Sequence, residues 1–234
     1  MSSINVLKRD GTQEELNLEK VHKMVEFAVE GLAGVSASQV EIQSGLQFCD
    51  GIKSADIQEI LIRSASDLIS EEHPNYQYVA ARLLLFGLRK AVHGHPEILP
   101  PLLEHVKGCI DKGVYDGTIV NRYSEEEWDR INSFVDHERD YLFTYAGLRQ
   151  VVDKYLVQDR STGEHYESPQ QMYIMIAATL FANYPTETRL DYVRRYYNAI
   201  STHKINIPTP IMGGVRTPIR QFASCVLVDI DDTL

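Results

Sequence analysis

Two lysines near the N-terminus, Lys8 and Lys20, have the charge needed to hold a phosphate group, and they flank a polar segment. A few cations together with the backbone amides of a hairpin can bind phosphate. Glu14 and Asn17 lie between the two lysines and have the hydrogen-bonding groups that recognise a ribose or a base edge. More distant cations that could reach the same phosphate are Arg89 and Lys90. On spacing alone, an ordinary charged surface hairpin is the simpler interpretation.

The second group of chemically reactive side chains is the thiols. Cys49, Cys109 and Cys225 are too few and too scattered for a disulfide framework or a four-thiolate zinc site, which favours a reducing, cytoplasmic location. Cys225 begins an apolar run, where an ordinary buried strand cysteine is the simplest interpretation. His93 and His95 are two residues apart and diverge on a helix, so we expect no metal site.

Composition limits the class of protein. The chain has 234 residues, of which 44% are hydrophobic and 24% charged, as in a soluble globular protein. Its formal net charge of −10 argues against nucleic-acid binding, whereas a small nucleotide needs only a few local cations. No apolar run approaches the roughly 18 residues of a membrane span, and the first residues lack the apolar core of an export signal.

The first 95 residues are predicted to form a β-hairpin on a bundle of four helices. Asp10-Gly11 between two strand-like runs is a hairpin signal, since both turn positions favour positive φ. Helical periodicity follows from Glu19, and later helices are expected after Ser36, after Ser54 and from Pro74 to about His93. A domain boundary is predicted at the cluster of Gly94, Pro96, Pro100 and Pro101.

The rest of the chain is predicted to be helical until its last part. Ser124 and Glu127 form a capping-box pattern, helices are expected over 141–156 and 170–183 and from Pro185 to Ser201, and residues 160–163 suggest a hairpin. Residues 208–218, rich in Pro and Gly, are predicted to be extended and rich in turns. Residues 225–230 are predicted to form a strand, and such an apolar strand is typical of a sheet covered on both faces, whose neighbouring strands this chain does not supply.

Three segments of the first 95 residues together resemble the ATP cone, the nucleotide-sensing domain of ribonucleotide reductases. These segments are Val6-x-Lys-Arg-Asp-Gly11 with the Glu, Asn and Lys that follow it, Asp50 to Ile57, and Tyr76 to Arg82 with Phe86 and Arg89-Lys90. The resemblance implies that ATP or dATP binds as an allosteric effector. The residues that it implies for this site are Lys8, Glu14, Asn17, Lys20, Ser54 and Lys90.

The chain departs from the cone pattern at three positions. Family members often have Thr and His where this chain has Ser54 and Gln58, and some have His in place of Gly87. Serine keeps the hydroxyl group. The loss of an imidazole at the other two positions predicts weaker base contacts or weaker discrimination of deoxyribose, which leaves inhibition by dATP open.

Residues 207–212 and 216–225 resemble the entry to the catalytic barrel of class I large, or alpha, subunits, and the resemblance extends along nearly the whole chain. It implies that Thr209 and Ser224 contact the substrate diphosphate or its surroundings, although by themselves both could equally be turn and strand-end hydroxyls. It further implies that Cys225 is the first of two thiols that reduce the ribose and become a disulfide. Asp232, Thr233 and Leu234 match the start of the specificity site, which binds a deoxynucleoside triphosphate.

The implied fold is mainly α, with three parts: an ATP cone over 1–95, a helical N-terminal reductase domain over 96–221, and the first strand of a ten-stranded α/β barrel over 222–234. The implied activity is that of a ribonucleoside-diphosphate reductase, which replaces the ribose 2′-hydroxyl by hydrogen through radical chemistry. In the family, the radical cysteine, the general-base Glu, the second thiol and a C-terminal cysteine pair lie beyond residue 234. We therefore expect the chain to be inactive alone. It is either one part of a naturally split subunit or a fragment of a longer chain, and we favour the natural split.

The resemblance also implies partners. These are the remaining C-terminal part of the large subunit, a small beta subunit that carries a di-iron tyrosyl radical cofactor, and thioredoxin or glutaredoxin as reductant. No covalently bound cofactor, nucleic acid or membrane is expected.

Two other classes of protein remain as alternatives. An ATP-cone transcriptional repressor needs a zinc ribbon with four clustered ligands and a basic surface, which three isolated cysteines and a net charge of −10 do not supply. A helical interaction module without catalysis would have no nucleotide site, and equilibrium binding of labelled ATP separates it from the other two classes.

Overall fold

The N-terminal strands pair as the predicted hairpin in a computed structural model that describes residues 4–8 and 11–228. Strand β1 (Asn5–Leu7) is antiparallel to β2 (Gln13–Glu15), with Val6 opposite Glu14. Gly11 has φ of 84°, a left-handed conformation that glycine adopts without a steric penalty. The other turn residue, Asp10, lies outside the described residues. A third strand that the sequence analysis did not predict, β3 (Ile52–Lys53), is parallel to β1 and completes a sheet of order β2-β1-β3.

Four helices pack with this sheet, as predicted. They are α1 (Leu18–Val29), α2 (Ala37–Gly45), α3 (Ser54–Asp67) and α4 (Tyr76–His93). Asn17 caps α1, because its side chain accepts a hydrogen bond from the amide of Lys20 at 3.0 Å. The apolar faces of these helices supply a core in which Val25, Leu61 and Val79 are fully buried. The helical periodicity of the sequence therefore predicts the buried faces of these helices correctly.

The compact unit that contains these elements comprises residues 1–99 and also residues 140–153. The added segment begins within a 3-10 turn (His137–Leu142) and continues into α7 (Tyr145–Lys154). Leu148 and Val152 on α7 are buried. The helix predicted over 141–156 is thus present in a shorter form, and a segment distant in sequence belongs to the first unit.

The second unit comprises residues 100–139 and 154–234 and is mainly helical. Its helix α8 (Pro169–Phe181) is mostly buried, and the capping box predicted at Ser124 is confirmed at the start of α6 (Glu125–Phe134). A two-stranded hairpin surrounds the turn predicted at 160–163. The elements are α5 (Leu102–Asp111), a 3-10 helix (Gly117–Arg122), α6 (Glu125–Phe134), β4 (Gln158–Asp159), β5 (Glu164–His165), α8 (Pro169–Phe181), α9 (Thr186–Ser201) and α10 (Thr209–Gly214).

The prediction of an extended, turn-rich stretch over 208–218 is wrong for Thr209–Gly214, which form the short helix α10, whereas residues 215–218 form turns and bends as predicted. Pro208 has φ of −60°, and Pro210 lies in the first turn of the helix. The first amides of a helix have no intrahelical acceptor, so a proline there loses no hydrogen bond. Prolines that by themselves indicate an extended chain here begin a helix.

The strand predicted over 225–230 is not formed in the described residues. Residues 225–228 have no strand pairing, and the side chains of Val226, Leu227 and Val228 are highly exposed. A strand needs a neighbour for its backbone hydrogen bonds, and the described part of the chain supplies none at this point. The remainder of the predicted strand, together with Asp232, Thr233 and Leu234, lies outside the described residues.

Candidate functional site

A cavity of about 400 Å³ lies among the hairpin, α1, α3 and α4 of the first unit. All six residues implied for the nucleotide site line it, although they come from five different parts of the chain. The structure therefore brings this predicted set together. The lining residues are Val6, Lys8, Glu14, Leu16, Asn17, Lys20, Val21, Lys23, Met24, Phe27, Ser54, Ile57, Gln58, Phe86, Lys90 and Glu97.

The charged residues of the cavity are organised around Glu14. Its carboxylate lies 2.6 Å from Lys8 Nζ and 3.8 Å from Lys20 Nζ. All three side chains are partly exposed, so water screens both ion pairs and each contributes little stability. A phosphate entering the cavity would compete with Glu14 for these ammonium groups. The cations are thus kept close together by a carboxylate that a stronger anion can displace.

The wall of the cavity provides both an anion site and an apolar surface. Ser54 is the first residue of α3, whose N-terminal amides and helix dipole favour a negative charge. Lys90, near the end of α4, lines the same cavity. Phe27 and Phe86 supply aromatic surface on which a base can stack. This combination of cations, a helix N-terminus and aromatic rings fits a nucleotide.

Gln58 and Gly87, two positions where the chain departs from the cone pattern, are complementary to each other. Gln58 Nε2 donates a hydrogen bond to the carbonyl oxygen of Leu83 at 2.7 Å. A Cβ atom at position 87 would lie only 3.0 Å from Gln58 Cγ, which is tighter than most side-chain contacts and would require Gln58 to shift by a few tenths of an ångström. The Gln58 side chain thus lies in the space that a side chain at 87 would occupy, and the two departures belong together.

The residues implied for the substrate lie in the second unit. Thr209 starts α10, and its hydroxyl lies 3.4 Å from that of Tyr155. Both line a second cavity, of about 460 Å³, together with Lys154 and Arg160. Ser224 and Cys225 do not line this cavity. They are exposed neighbours, with 3.7 Å between Ser224 Oγ and Cys225 Sγ.

A buried polar cluster near α10 was missed by the sequence analysis. Arg216 Nε donates to Glu167 Oε2 at 2.7 Å, and both side chains are fully buried. The Tyr115 hydroxyl also donates to Glu167, and burial together with the nearby carboxylate raises the Tyr115 pKa well above its ordinary value. Charged residues are ordinarily expected on the surface, so the sequence carried no signal that Arg216 and Glu167 would meet.

The two other cysteines differ in their surroundings. Burial and the nearby Glu167 carboxylate raise the pKa of the Cys109 thiol to about 12, so this thiol stays protonated and serves as a packing group. Cys49, in contrast, is exposed. Within residues 4–8 and 11–228, no cluster of His, Cys, Asp and Glu is suited to a metal ion, and no helix is both long and apolar enough to cross a membrane.

Two protein-family models match the chain and define its class. The ATP cone domain matches residues 4–91, and the ribonucleotide reductase all-alpha domain matches residues 141–220. The first match contains every residue that lines the cavity of the first unit except Glu97. The chain therefore belongs to the ribonucleotide reductases that have an ATP cone, and the resemblance stated from the sequence is confirmed.

Curated relatives narrow this class to the alpha subunit. The chain is 54% identical over 232 residues to the ribonucleoside-diphosphate reductase subunit alpha of Haemophilus influenzae, covering 99% of the chain and 31% of that protein. It is 54% identical over 229 residues to the ribonucleoside-diphosphate reductase 1 subunit alpha of Escherichia coli, covering 98% and 30%. For the subunit alpha of Enterobacteria phage T4, the identity is 42% over 236 residues, covering 100% and 31%. The chain thus spans about 30% of the length of these relatives.

Proposed function

We propose that the cavity of the first unit binds ATP or dATP as an allosteric effector. The observation that carries this proposal is that six polar side chains implied for the site line one cavity inside the range matched by the ATP cone domain. Lys8, Lys20 and Lys90 would bind the phosphates, and Ser54 would add a hydroxyl at the start of α3. Glu14 and Asn17 would form hydrogen bonds with the ribose or the base.

Replacement of the Glu14 carboxylate by phosphate at the ammonium groups of Lys8 and Lys20 would allow this acidic protein to bind an anion. The net charge of −10 acts over the whole surface, where salt screens it within about 10 Å. In the cavity, the entering triphosphate meets lysines already paired with a carboxylate at 2.6 and 3.8 Å. A triphosphate with its several charges competes well against one carboxylate, and Glu14 is then released to act as a hydrogen-bond acceptor.

We further propose that the chain supplies one part of a ribonucleoside-diphosphate reductase alpha subunit. In this proposal Cys225 is one of the two reducing thiols, Thr209 and Ser224 contact the substrate, and Asp232, Thr233 and Leu234 contact a specificity effector. The support is the 54% identity to alpha subunits of this name and the exposure of Cys225. The proposed domains are 1–95, 96–221 and 222–234, and the proposed location is cytoplasmic.

A single thiol limits what the chain does in this reaction. When Cys225 and a second thiol give two electrons to the ribose carbon, the 2′-hydroxyl leaves as water and one disulfide bond forms between the two sulfur atoms. The second thiol, the radical cysteine and the general base are proposed to come from the remaining part of the alpha subunit. A small beta subunit would supply the radical from its di-iron site, and thioredoxin or glutaredoxin would reduce the disulfide. The chain alone is therefore expected to be inactive.

The exposed apolar residues after Ser224 support an interface with that remaining part. Val226, Leu227 and Val228 are 77%, 104% and 73% exposed. Burial of each such side chain is worth roughly 1.5–3 kcal/mol before the cost of association is subtracted. Pairing as a barrel strand would also satisfy the backbone groups of this segment.

Calorimetric titration of the whole chain with ATP and with dATP tests the effector proposal. We expect saturable binding in the micromolar range, and titration with GTP provides the control for base recognition. Absence of ATP binding would overturn the proposal and favour a helical interaction module. For the catalytic proposal, the chain is mixed with the remaining part of an alpha subunit and examined by size-exclusion chromatography, and activity is assayed after addition of the small subunit. Separate elution of the two parts, or reductase activity of this chain by itself, would contradict it.

A further inference from the structure

The side chain of Tyr141 links the nucleotide cavity to the segment 140–153. Phe27, which lines the cavity, contacts Tyr141 edge to face, with 6.0 Å between the ring centroids and 68° between the ring planes. This geometry is typical of a favourable aromatic pair. A wall residue of the cavity thus touches a residue that lies more than 110 positions later in the chain.

Two guanidinium groups hold the ring of Tyr141. The Cζ atoms of Arg82 and Arg89 each lie 5.6 Å from its centroid, within the range of a cation–π contact. Arg82 also donates from Nη1 to the carbonyl oxygen of Glu30 at 2.6 Å, just after the end of α1. The ring therefore lies where the end of α1, helix α4 and the segment 140–153 meet.

A buried ion pair anchors the same segment next to the cavity. Arg89 Nη2 lies 2.9 Å from Asp140 Oδ2, and the two side chains are 5% and 0% exposed. Arg89 directly precedes Lys90, whose side chain lines the cavity. Separation of this pair would leave a buried charge without a partner, so the segment is held firmly to α4.

We propose that Tyr141 couples the segment 140–153 to the occupancy of the nucleotide cavity. A base stacked on Phe27 restricts the motion of that ring, and Phe27 transmits the restriction to Tyr141 because their rings are in contact. Phosphate binding at Lys90 acts on the adjacent Arg89, which contacts both Tyr141 and Asp140. The inference rests on the proposed effector function and specifies how that site regulates the chain.

The segment also has a covalent route to residues outside the first unit. Helix α7 ends at Lys154, and the carbonyl oxygen of the next residue, Tyr155, accepts a hydrogen bond from Arg216 Nη2 at 3.1 Å. In this proposal, the Tyr141 ring affects both the contact of the base with Phe27 and the order of the segment 140–153. Such a shared dependence is the condition for linkage between two sites.

Hydrogen–deuterium exchange of the whole chain with and without ATP tests the coupling, with calorimetry on the same samples to measure binding. In the wild type, saturating ATP should slow amide exchange in residues 145–153. Tyr141→Leu should still bind ATP. With ATP bound, however, its amides in 145–153 should exchange about 2 to 30 times faster than those of the wild type, the range that corresponds to coupling energies of about 0.5–2 kcal/mol. Phe27 also lines the cavity, so Phe27→Leu should in addition bind ATP more weakly. Measured at ATP concentrations that saturate it, this variant should lose the slowing as Tyr141→Leu does, and the double variant should be no worse than either single variant.

Leu142→Ala is the matched control, because Leu142 follows Tyr141 in the same turn and its side chain is 52% exposed. This variant should keep the full ATP-induced slowing. Binding of ATP without any slowing in 145–153, or wild-type slowing in Tyr141→Leu, would overturn the coupling and leave the effector proposal intact. Absence of ATP binding in the wild type would overturn both.

Discussion

Arg216 and Glu167 form a fully buried ion pair in the second unit, in which the Arg216 Nε donates to Glu167 Oε2 at 2.7 Å. The other guanidinium nitrogens of Arg216 donate to the carbonyl oxygens of Met212 at 2.5 Å and Tyr155 at 3.1 Å. Glu167 in turn accepts the amide of Val157 at 2.7 Å. The Arg216 guanidinium thus forms hydrogen bonds to three segments: Met212 in α10, Tyr155 just after α7 and Glu167 just before α8.

Replacement of Arg216 by Gln should destabilise the chain strongly. The glutamine removes the positive charge and leaves the Glu167 carboxylate buried without its counter-charge, which typically costs about 3–5 kcal/mol. The free energy of unfolding from urea denaturation measures the loss. Arg220→Gln is the control, because Arg220 pairs with Asp116 at 2.8 Å and is 63% exposed. The control should lose at most about 1 kcal/mol. Equal losses in the two variants would contradict the assignment of Arg216 as an anchor.

Glu127 should stabilise the second unit in a pH-dependent manner. Its hydrogen bonds with Arg189, at 2.7 and 2.5 Å, lower the carboxyl pKa below its ordinary value, although partial burial opposes this. A lowered pKa in the folded state contributes stability above the unfolded pKa of about 4.3, and this contribution disappears as the pH falls through the folded value. Glu127→Gln should therefore cost about 1.5–3 kcal/mol at pH 7 and much less near pH 3.

Urea denaturation of both proteins at pH 7, 5 and 3 checks this prediction. Asp191→Asn is the control, since Asp191 and its partner Arg194 are about half exposed. This change should shift the free energy of unfolding by less than about 1 kcal/mol at neutral pH. A difference between Glu127→Gln and wild type that does not shrink on acidification would refute the role of the ionised carboxylate.

Gly87→Ala should disturb the nucleotide cavity through Gln58. An alanine in a helix is normally favoured over glycine by about 1 kcal/mol, but here its Cβ would lie 3.0 Å from Gln58 Cγ. The Gln58 side chain must shift by a few tenths of an ångström, which weakens its 2.7 Å hydrogen bond to Leu83 and changes the cavity wall. We expect little gain in thermal stability and an altered affinity for ATP. Gly108→Ala, in the exposed part of α5 where nothing lies within 4 Å of the new Cβ, should gain stability and leave ATP binding unchanged.

The three cysteines should react differently with iodoacetamide in the native chain. Cys49 and Cys225 are exposed, whereas Cys109 is buried and its pKa is raised to about 12. Because the thiolate is the nucleophile, Cys109 should react only after denaturation. Mass spectrometry at pH 8 should show two alkylated residues in the wild type and one in Cys225→Ser. Native labelling of Cys109 at a rate similar to that of Cys225 would show that the second unit opens there.

Removal of single cations should weaken ATP binding. Lys8→Ala and Lys90→Ala should each cost roughly 1.5–3 kcal/mol, the typical value of a hydrogen bond to a charged group. Lys107→Ala, which lies on the exposed side of α5, is the control and should bind ATP like the wild type. If both cavity variants keep wild-type affinity in calorimetry, the nucleotide binds elsewhere.

Local sequence patterns were sufficient for most of the helices and for the hairpin. The spacing of Val21, Val25 and Ala28 predicts the buried face of α1, and all three are buried. The capping box of Ser124 and Glu127 depends on residues three apart, so it too could be found by inspection. The helix at Thr209–Gly214 was missed because its prolines were interpreted as signs of an extended chain, although proline is tolerated in the first turn of a helix.

The six residues proposed for nucleotide binding were identified through resemblance to a family, since their spacing alone does not separate a site from a charged surface. Their common cavity appears only when β1, α3 and α4 are packed together. The match of Gln58 to Gly87 likewise depends on two helices that come into contact.

By itself the sequence determined the elements whose causes lie within a few residues: helical faces, caps, the hairpin turn and the isolation of the three cysteines. Only the tertiary structure decided the relationships between distant residues, such as Arg216 with Glu167 and Tyr141 with Phe27. Local periodicity follows from the geometry of one helix or strand, which repeats every few residues. Charge pairs and ring contacts between distant segments depend instead on which surfaces meet when the core closes, and no local pattern records that choice.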